Sequence, residues 1–494
     1  VNHSSSPAGY ATVIAAQPIG AGAELVTIET DLSQGLHAFS IVGLPDKAIE
    51  ESRDRISAAI RHTGFKSPKA TNRRIVLSLS PADLRKEGSQ YDLPLALCYL
   101  AAAGEIQLPQ EPFLFVGELG LNGTLRGTRG VLAQILAANR AGISSAFVPP
   151  VNAREASLCK EMRVYAPSSL LEAVMHLKGE VQLSPYENTA SLSVRPPSVE
   201  LSEIRGQESA KRAVEIASAG RHNLLLYGPP GTGKTMLARS IPGLLPSLTH
   251  TETLEVMAIH STAGTLREGE TIDWPPFRAP HHTASATSLI GGGSFPRAGE
   301  ITLAHRGILF LDEFPEFDTR AIESLRQPLE DKIVTIARTK GSLSFPANCM
   351  LVAAMNPAET LTANPEVAVR TALKQERKMS RAIVDRIDMW TEVPRLSQEE
   401  FHNENKIETS EIVRARITAA RDFNVLKRTS LDVSKGAHEV LVQAAGKLSL
   451  SPRAYHRTLR VSRTIAALRL STTIEPHDVL EALQYRPRGL FGFQ

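Results

Sequence analysis

Eight consecutive residues, Gly228, Pro229, Pro230, Gly231, Thr232, Gly233, Lys234 and Thr235, carry the pattern G-x-x-x-x-G-K-[ST]. Glycines in such a run let the backbone turn so that its N–H groups face phosphate oxygens. The lysine then lies against the β- and γ-phosphates, and the hydroxyl of the last residue is a Mg²⁺ ligand. The preceding apolar run Leu224–Tyr227 reads as a strand, and Met236–Ser240 reads as the start of a helix. That strand–loop–helix context turns the pattern into a nucleoside triphosphate site, so ATP and Mg²⁺ are the expected cofactors.

Triphosphate hydrolysis needs more than a cradle. Ile308–Leu311 is an apolar strand run that ends in Asp312 and Glu313. A buried strand ending in aspartate brings that carboxylate to the metal, so Asp312 joins Thr235 as an expected Mg²⁺ ligand. Glu313 can orient and deprotonate the attacking water. A third strand run, Met350–Met355, ends in Asn356, whose amide can hydrogen-bond a water or the γ-phosphate. Arg386, between Asp385 and Asp388, is placed to serve a neighbouring subunit's γ-phosphate, and Arg453, at a helix start after Ser451-Pro452, to reach the nucleotide of its own subunit. Arginine suits either task because it is always charged and planar. Taken alone, each also reads as a member of a surface ion pair.

These residues need a parallel sheet to hold them, and the alternation of strand and helix signals after residue 202 supplies one. The 494 residues suggest about three domains. Residues 1–180 read as an α+β unit, with strands at Ile75–Leu79 and Phe113–Val116 and helices at 47–62 and 93–103. Residues 181–201 read as a polar, Pro/Ser-rich linker, 202–395 as the nucleotide-binding α/β core and 396–494 as an α-helical lid. A net charge of +3 names no partner, so a nucleic-acid surface must be a local patch. The three cysteines are far apart, which fits a reducing cytoplasm, and no apolar run is long enough for a membrane span. No secretory leader is expected from the first residues.

Several longer phrases narrow the class. Ile41–Asp46, Pro81–Gly88, Pro276–Thr283, Gly291–Ser294, Leu309–Phe314 and Ala454–Arg457 resemble the YifB/ComM branch of the magnesium-chelatase-like AAA+ ATPases over nearly the whole chain. The resemblance implies an AAA+ P-loop core with a C-terminal helical lid, preceded by a Lon-protease-like domain. It also implies a ring, hexameric in this branch, that threads single-stranded or branched DNA and promotes branch migration while transforming DNA is integrated. Arg386 then matches the arginine finger supplied in trans, and Arg453 the lid arginine. Residues 260–293 match an insert in the second helix of the core, and 332–344 a β-hairpin; both face the pore in related motors. Gln90 occupies the position of the Lon nucleophile, so no peptidase activity is expected.

The chain departs from the branch at one point. The cysteine cluster that commonly follows the Asn-Pro of the family is missing, so no zinc is expected. Arg370, Lys374, Arg377, Lys378 and Arg381 stand there instead, on one helical stripe. With Arg338 and Lys340 of the hairpin they are the candidate DNA contacts, and a solvated face is the alternative for both groups. Adjacent His281 and His282 point apart on most elements and make a poor metal pair. Two other functions stay open: a chelatase-type remodelling subunit, and a protein unfoldase.

Overall fold

The computed structural model describes residues 9–187, 199–267, 269–293, 297–338, 341–357, 381–397, 408–426 and 432–487. Most of the segment read as a linker, 188–198, lies outside them. The chain divides into two compact units: Val1–Ser193 with His250–Ile272, and Val194–Thr249 with Asp273–Gln494. Among the described residues no helix is long and apolar enough to cross a membrane.

The first unit is built on strands β1 (Tyr10–Ile19), β2 (Gly22–Gln34), β3 (Ala38–Val42), β4 (Arg73–Ser80), β5 (Phe113–Phe115), β6 (Ser145–Phe147) and β7 (Arg163–Tyr165). They form one mixed sheet in the order β3-β4-β2-β1-β5-β6-β7. Strict alternation in β4 buries Ile75, Leu77 and Leu79 on one face, as a half-covered strand requires. Helix α1 (Lys47–His62) is capped by the Asp46 carboxylate, which accepts from Ile49 N at 2.9 Å, and buries Ile49, Ile56 and Ile60. Helix α2 (Asp92–Ala102) is apolar all round and lies in the core, the environment such a helix needs. Its one charged residue, the fully buried Asp92, is held by Arg55 of α1 at 2.7 Å and accepts from Leu119 N at 3.1 Å.

Helix α3 (Val131–Arg140) packs on the helix His250–Ala263 through Leu132, Ala133, Met257 and Ala258. Residues 250–272, which the sequence places inside the nucleotide-binding segment, therefore fold with the first unit. Burying a large apolar side chain stabilises by about 1.5–3 kcal/mol, and Met257 and Leu132 are fully buried. The span 260–293, expected as a single insert, is thus not one piece: residues 260–272 belong to the first unit, and Phe277–Arg278 is a strand of the second.

The second unit carries α4 (Glu208–Gly220), β8 (Leu224–Tyr227), α5 (Lys234–Leu244), β9 (Phe277–Arg278), β10 (Ile308–Leu311), a hairpin of β11 (Ile333–Arg338) and β12 (Gly341–Pro346), β13 (Met350–Met355) and β14 (Met389–Glu392). Five strands make a sheet in the order β9-β10-β13-β8-β14, with every neighbouring pair parallel. All side chains of β10 and β13 are buried, because helices cover both faces of a parallel sheet. The helices α6 (Ser410–Leu426), α7 (Lys435–Lys447), α8 (Pro452–Leu468) and α9 (Pro476–Gln484) follow. Val413, Ile417, Val461, Ile465 and Ala482 of these helices join Ala213, Val214 and Ala217 of α4 in one core. The fold is that of an AAA+ P-loop module with a helical lid, preceded by an α+β domain.

Candidate nucleotide site and a second basic cluster

Because the sheet is parallel, the C-terminal ends of β8, β10 and β13 share one edge, where α/β sheets bind their ligands. Tyr227 stands in register with Met355, and Gly228 N donates to Met355 O at 3.3 Å. Asn356 follows directly, so it lies beside the start of the phosphate loop. Gly228 is tight: a Cβ there would fall 2.2 Å from Val393 O. Gly231 and Gly233 adopt φ of +80° and +93°, and a Cβ on either would meet nothing within 4 Å. They leave an open cradle that fits phosphate, at the N-terminus of α5, where helix dipole and free N–H groups favour anions. Thr232 Oγ1 donates to Pro229 O at 3.0 Å and closes the turn.

Lys234 donates to Gly228 O at 2.8 Å and to Pro229 O at 2.6 Å. Burial lowers its pKa, and Asp312 opposes the shift. Thr235 Oγ1 donates to Asp312 Oδ2 at 2.9 Å. Two oxygen ligands already in contact fit Mg²⁺, which takes one or two protein oxygens and completes its shell with phosphate and water. Thr235 and Asp312 are the residues that would hold it.

Glu313 sits at φ +51°, in the left-handed region where a non-glycine residue is strained. Its N–H donates to Asp312 Oδ1 at 3.0 Å, while its own carboxylate stays half exposed. His282 Nδ1 lies 3.0 Å from Glu313 Oε2. The rings of His281 and His282 lie 4.1 Å apart, so the expectation that they point apart is corrected. The pair lies in a turn rather than in a helix or strand, and His281 Nδ1 bonds Thr283 Oγ1 at 2.9 Å. Sequence reasoning missed the His282–Glu313 pair, since only the fold joins the residues after β9 to those after β10. It also missed Gln207, buried beneath the loop, whose amide donates to Pro394 O at 2.7 Å and to Thr232 O at 3.5 Å.

Arg386 and Arg453 lie elsewhere. Both guanidinium groups engage the single carboxylate of Glu330, Arg386 through a short contact and Arg453 at 3.4 Å. Asn223, the residue before β8, anchors this region: its Nδ2 donates to Arg386 O at 2.8 Å and its N–H to Asp388 Oδ2 at 3.0 Å. The cluster therefore stands at the N-terminal end of β8, while the phosphate loop stands at its C-terminal end. Four strand residues separate them, about 13 Å at ~3.3 Å per residue. The Arg453 guanidinium, held at Glu330, thus lies toward the end of β8 remote from the phosphate loop of its own chain. A cleft of about 290 Å³ opens here, lined by Arg386, Arg453, Arg457 and Arg460 together with Lys332 and Arg221. Arg457 is tied to Asp388 at 3.7 Å, with burial as the main influence lowering its pKa. The i, i+4, i+7 spacing of Arg453, Arg457 and Arg460 on α8 was the readable signal for this face.

Of the candidate DNA contacts, Arg338 ends β11, and Arg381 opens the short helix Arg381–Val384. Lys340, Arg370, Lys374, Arg377 and Lys378 lie outside the described residues. At the position matched to a protease nucleophile, buried Gln90 donates to Glu87 O at 2.6 Å, and the Ser89 hydroxyl donates to Glu118.

A phosphate loop on the central region of an all-parallel sheet, with a carboxylate from the next strand but one against its threonine and a helical lid behind it, defines the AAA+ class of ATPases. Three family models match in succession: "Subunit ChlI of Mg-chelatase" over residues 28–152, "Magnesium chelatase, subunit ChlI" over 200–401 and "Magnesium chelatase, subunit ChlI C-terminal" over 407–486. The chain is 40% identical to the competence protein ComM of Haemophilus influenzae over 96% of its own length and 97% of the relative's. It is 37% identical to YifB of Escherichia coli, with 95% of each chain covered. A more distant similarity, 26% over 55% of this chain and 33% of the relative, joins it to the DNA replication licensing factor MCM4 of Arabidopsis thaliana. The chain belongs to the YifB/ComM family of magnesium-chelatase-like AAA+ ATPases.

Proposed function

We propose that the protein is a ring-forming motor that splits ATP at the seam between neighbouring copies and uses the work to move along or remodel DNA, as a branch-migration helicase does. One observation supports the seam most strongly. Arg386 and Arg453 share a carboxylate at the end of β8 remote from the phosphate loop. Arginines at that end would serve an adjacent copy's nucleotide rather than their own. Lys234 and the loop N–H groups would carry the negative charge of the β- and γ-phosphates, and Thr235 and Asp312 would hold Mg²⁺, which lends further charge neutralisation. Glu313 would align the attacking water and accept its proton, with Asn356 beside it. DNA as the partner is supported by the name of the replication-licensing relative, and a hexameric ring is part of the same proposal. No peptidase step is proposed for the first unit.

A complementation experiment tests the seam. Arg386→Ala retains an intact phosphate loop, and Lys234→Ala retains intact arginines. Each alone should be inactive, and their mixture should regain hydrolysis. Failure of every mixing ratio to restore turnover would reject the shared site. The ChlI matches favour a second reading, a subunit that remodels a metal-inserting enzyme. Hydrolysis measured with single-stranded, duplex and four-way-junction DNA separates the two, since only the motor should be stimulated.

A further inference from the structure

The first unit contains a cleft of about 340 Å³ with no part in the nucleotide site, formed by the loop 127–129, residues 151–155 and the segment 261–270 that follows the helix His250–Ala263. Pockets for small ligands begin at about this size. Three guanidinium groups line it: Arg129, Arg154 and Arg267. Among the described residues none of the three forms a salt bridge, although this chain pairs many of its arginines with carboxylates elsewhere. Among the described residues two carboxylates also line the cleft, Glu155 and Glu270. Glu270 accepts from Arg267 N at 3.0 Å, and Glu155 accepts from Asn152 Nδ2 at 2.6 Å. Burial also raises the Glu155 pKa, which favours its neutral form.

The walls are fixed rather than improvised. Buried Asn152 clamps the loop from both sides, accepting from Thr128 N at 3.0 Å and donating to Thr128 O at 3.0 Å. Gly130 N donates to Ser261 O at 3.1 Å. Two glycines make room for the arginines. A Cβ on Gly264, at φ +69°, would fall 2.6 Å from Arg129 Nε, and one on Gly269, at φ +70°, would fall 3.5 Å from Arg154 Nη1. Three atoms of the lining residues, Arg154 Nε, Thr128 Oγ1 and Glu155 Oε2, are shielded from solvent and have no hydrogen-bond partner.

We propose that this cleft binds a phosphate group, either of a small phosphate ester or of a nucleic-acid backbone, through Arg129, Arg154 and Arg267. Three planar forks arriving from three separate segments suit a tetrahedral anion with three or four acceptor oxygens. A carboxylate would occupy one fork, or two at most. The site is independent of the hydrolytic one and needs no neighbouring copy.

Full-length protein carrying Lys234→Ala, which disables the phosphate loop, isolates the second site. Two probes would be titrated into it at fixed ionic strength: inorganic pyrophosphate by calorimetry, and a fluorescent hexathymidylate by anisotropy. At least one should bind saturably, one per chain. Adding Arg129→Ala with Arg154→Ala should weaken that binding at least tenfold. Arg129 is exposed, so its single replacement removes nothing from the buried core and should weaken binding on its own. Gly264→Asn, which tolerates the positive φ of that position, should do the same by displacing the Arg129 guanidinium while leaving its charge. Preference for pyrophosphate identifies a small ester, and preference for the oligonucleotide identifies a strand. Absence of saturable binding by both probes, or binding indifferent to these replacements, would overturn the proposal.

Discussion

Glu313 is strained in its backbone, exposed at its carboxylate and touched on one side by His282. A carboxylate that activates water needs such freedom on one face and a fixed partner on the other. Glu313→Gln is expected to keep ATP binding, read by nucleotide fluorescence, while turnover drops by about 10²–10⁴. Retained turnover would move the base to another residue. His282→Ala tests the partner: kcat should fall roughly ten- to a hundredfold, with ATP affinity nearly unchanged, because the loss is one of alignment. At this scale the phosphate loop, Asp312 and Glu313 were readable, since they follow directly upon apolar strand runs. His282 was not. It lies some thirty residues before Glu313, and only the pairing of β9 with β10 joins them.

Elements explain what individual residues cannot. Arg453 was legible as the start of a lid helix, through Ser451, Pro452 and the period that follows. The end of the sheet that this helix would approach was not. That depends on how α8 packs against α4, which local pattern does not encode. One contact of that packing is titratable. His222, after α4, bonds Thr464 of α8 at 2.8 Å, and full burial depresses its pKa to about 4 despite the opposing influence of Asp388. An unfolded histidine takes up a proton near pH 6.5. Between pH 6.5 and pH 4 the unfolded chain thus holds the extra proton, and stability falls as the pH falls. The contribution is whole above pH 6.5, and its loss by pH 4 amounts to about 3 kcal/mol. Denaturant unfolding of the second unit across this range should show the slope, and His222→Gln should flatten it.

For the molecule as a whole, the proposed service of the two arginines beside Glu330 to a neighbouring copy would make hydrolysis a collective property. ATPase activity per chain should rise with protein concentration through the range of assembly and then level off, as checked by steady-state rates beside sedimentation. A specific rate constant over that range would argue for self-sufficient protomers. The α/β class and the helical lid were legible from periodicity alone. The assignment of 250–272 to the first unit was not, because an apolar helix face does not announce which of two cores it will join.

The way the backbone divides its residues has a practical outcome for anyone dissecting the protein. It passes from one unit to the other near residue 193, returns near 250 and leaves again near 272. Three covalent tethers therefore join the halves. A nick in the first would release neither fragment, and a truncation ending at 193 would strip Leu132 and Ala133 of the helix that covers them. A protease site engineered at the first crossing and cleaved there should yield a clipped particle that comigrates with the intact chain under native conditions and separates only in detergent.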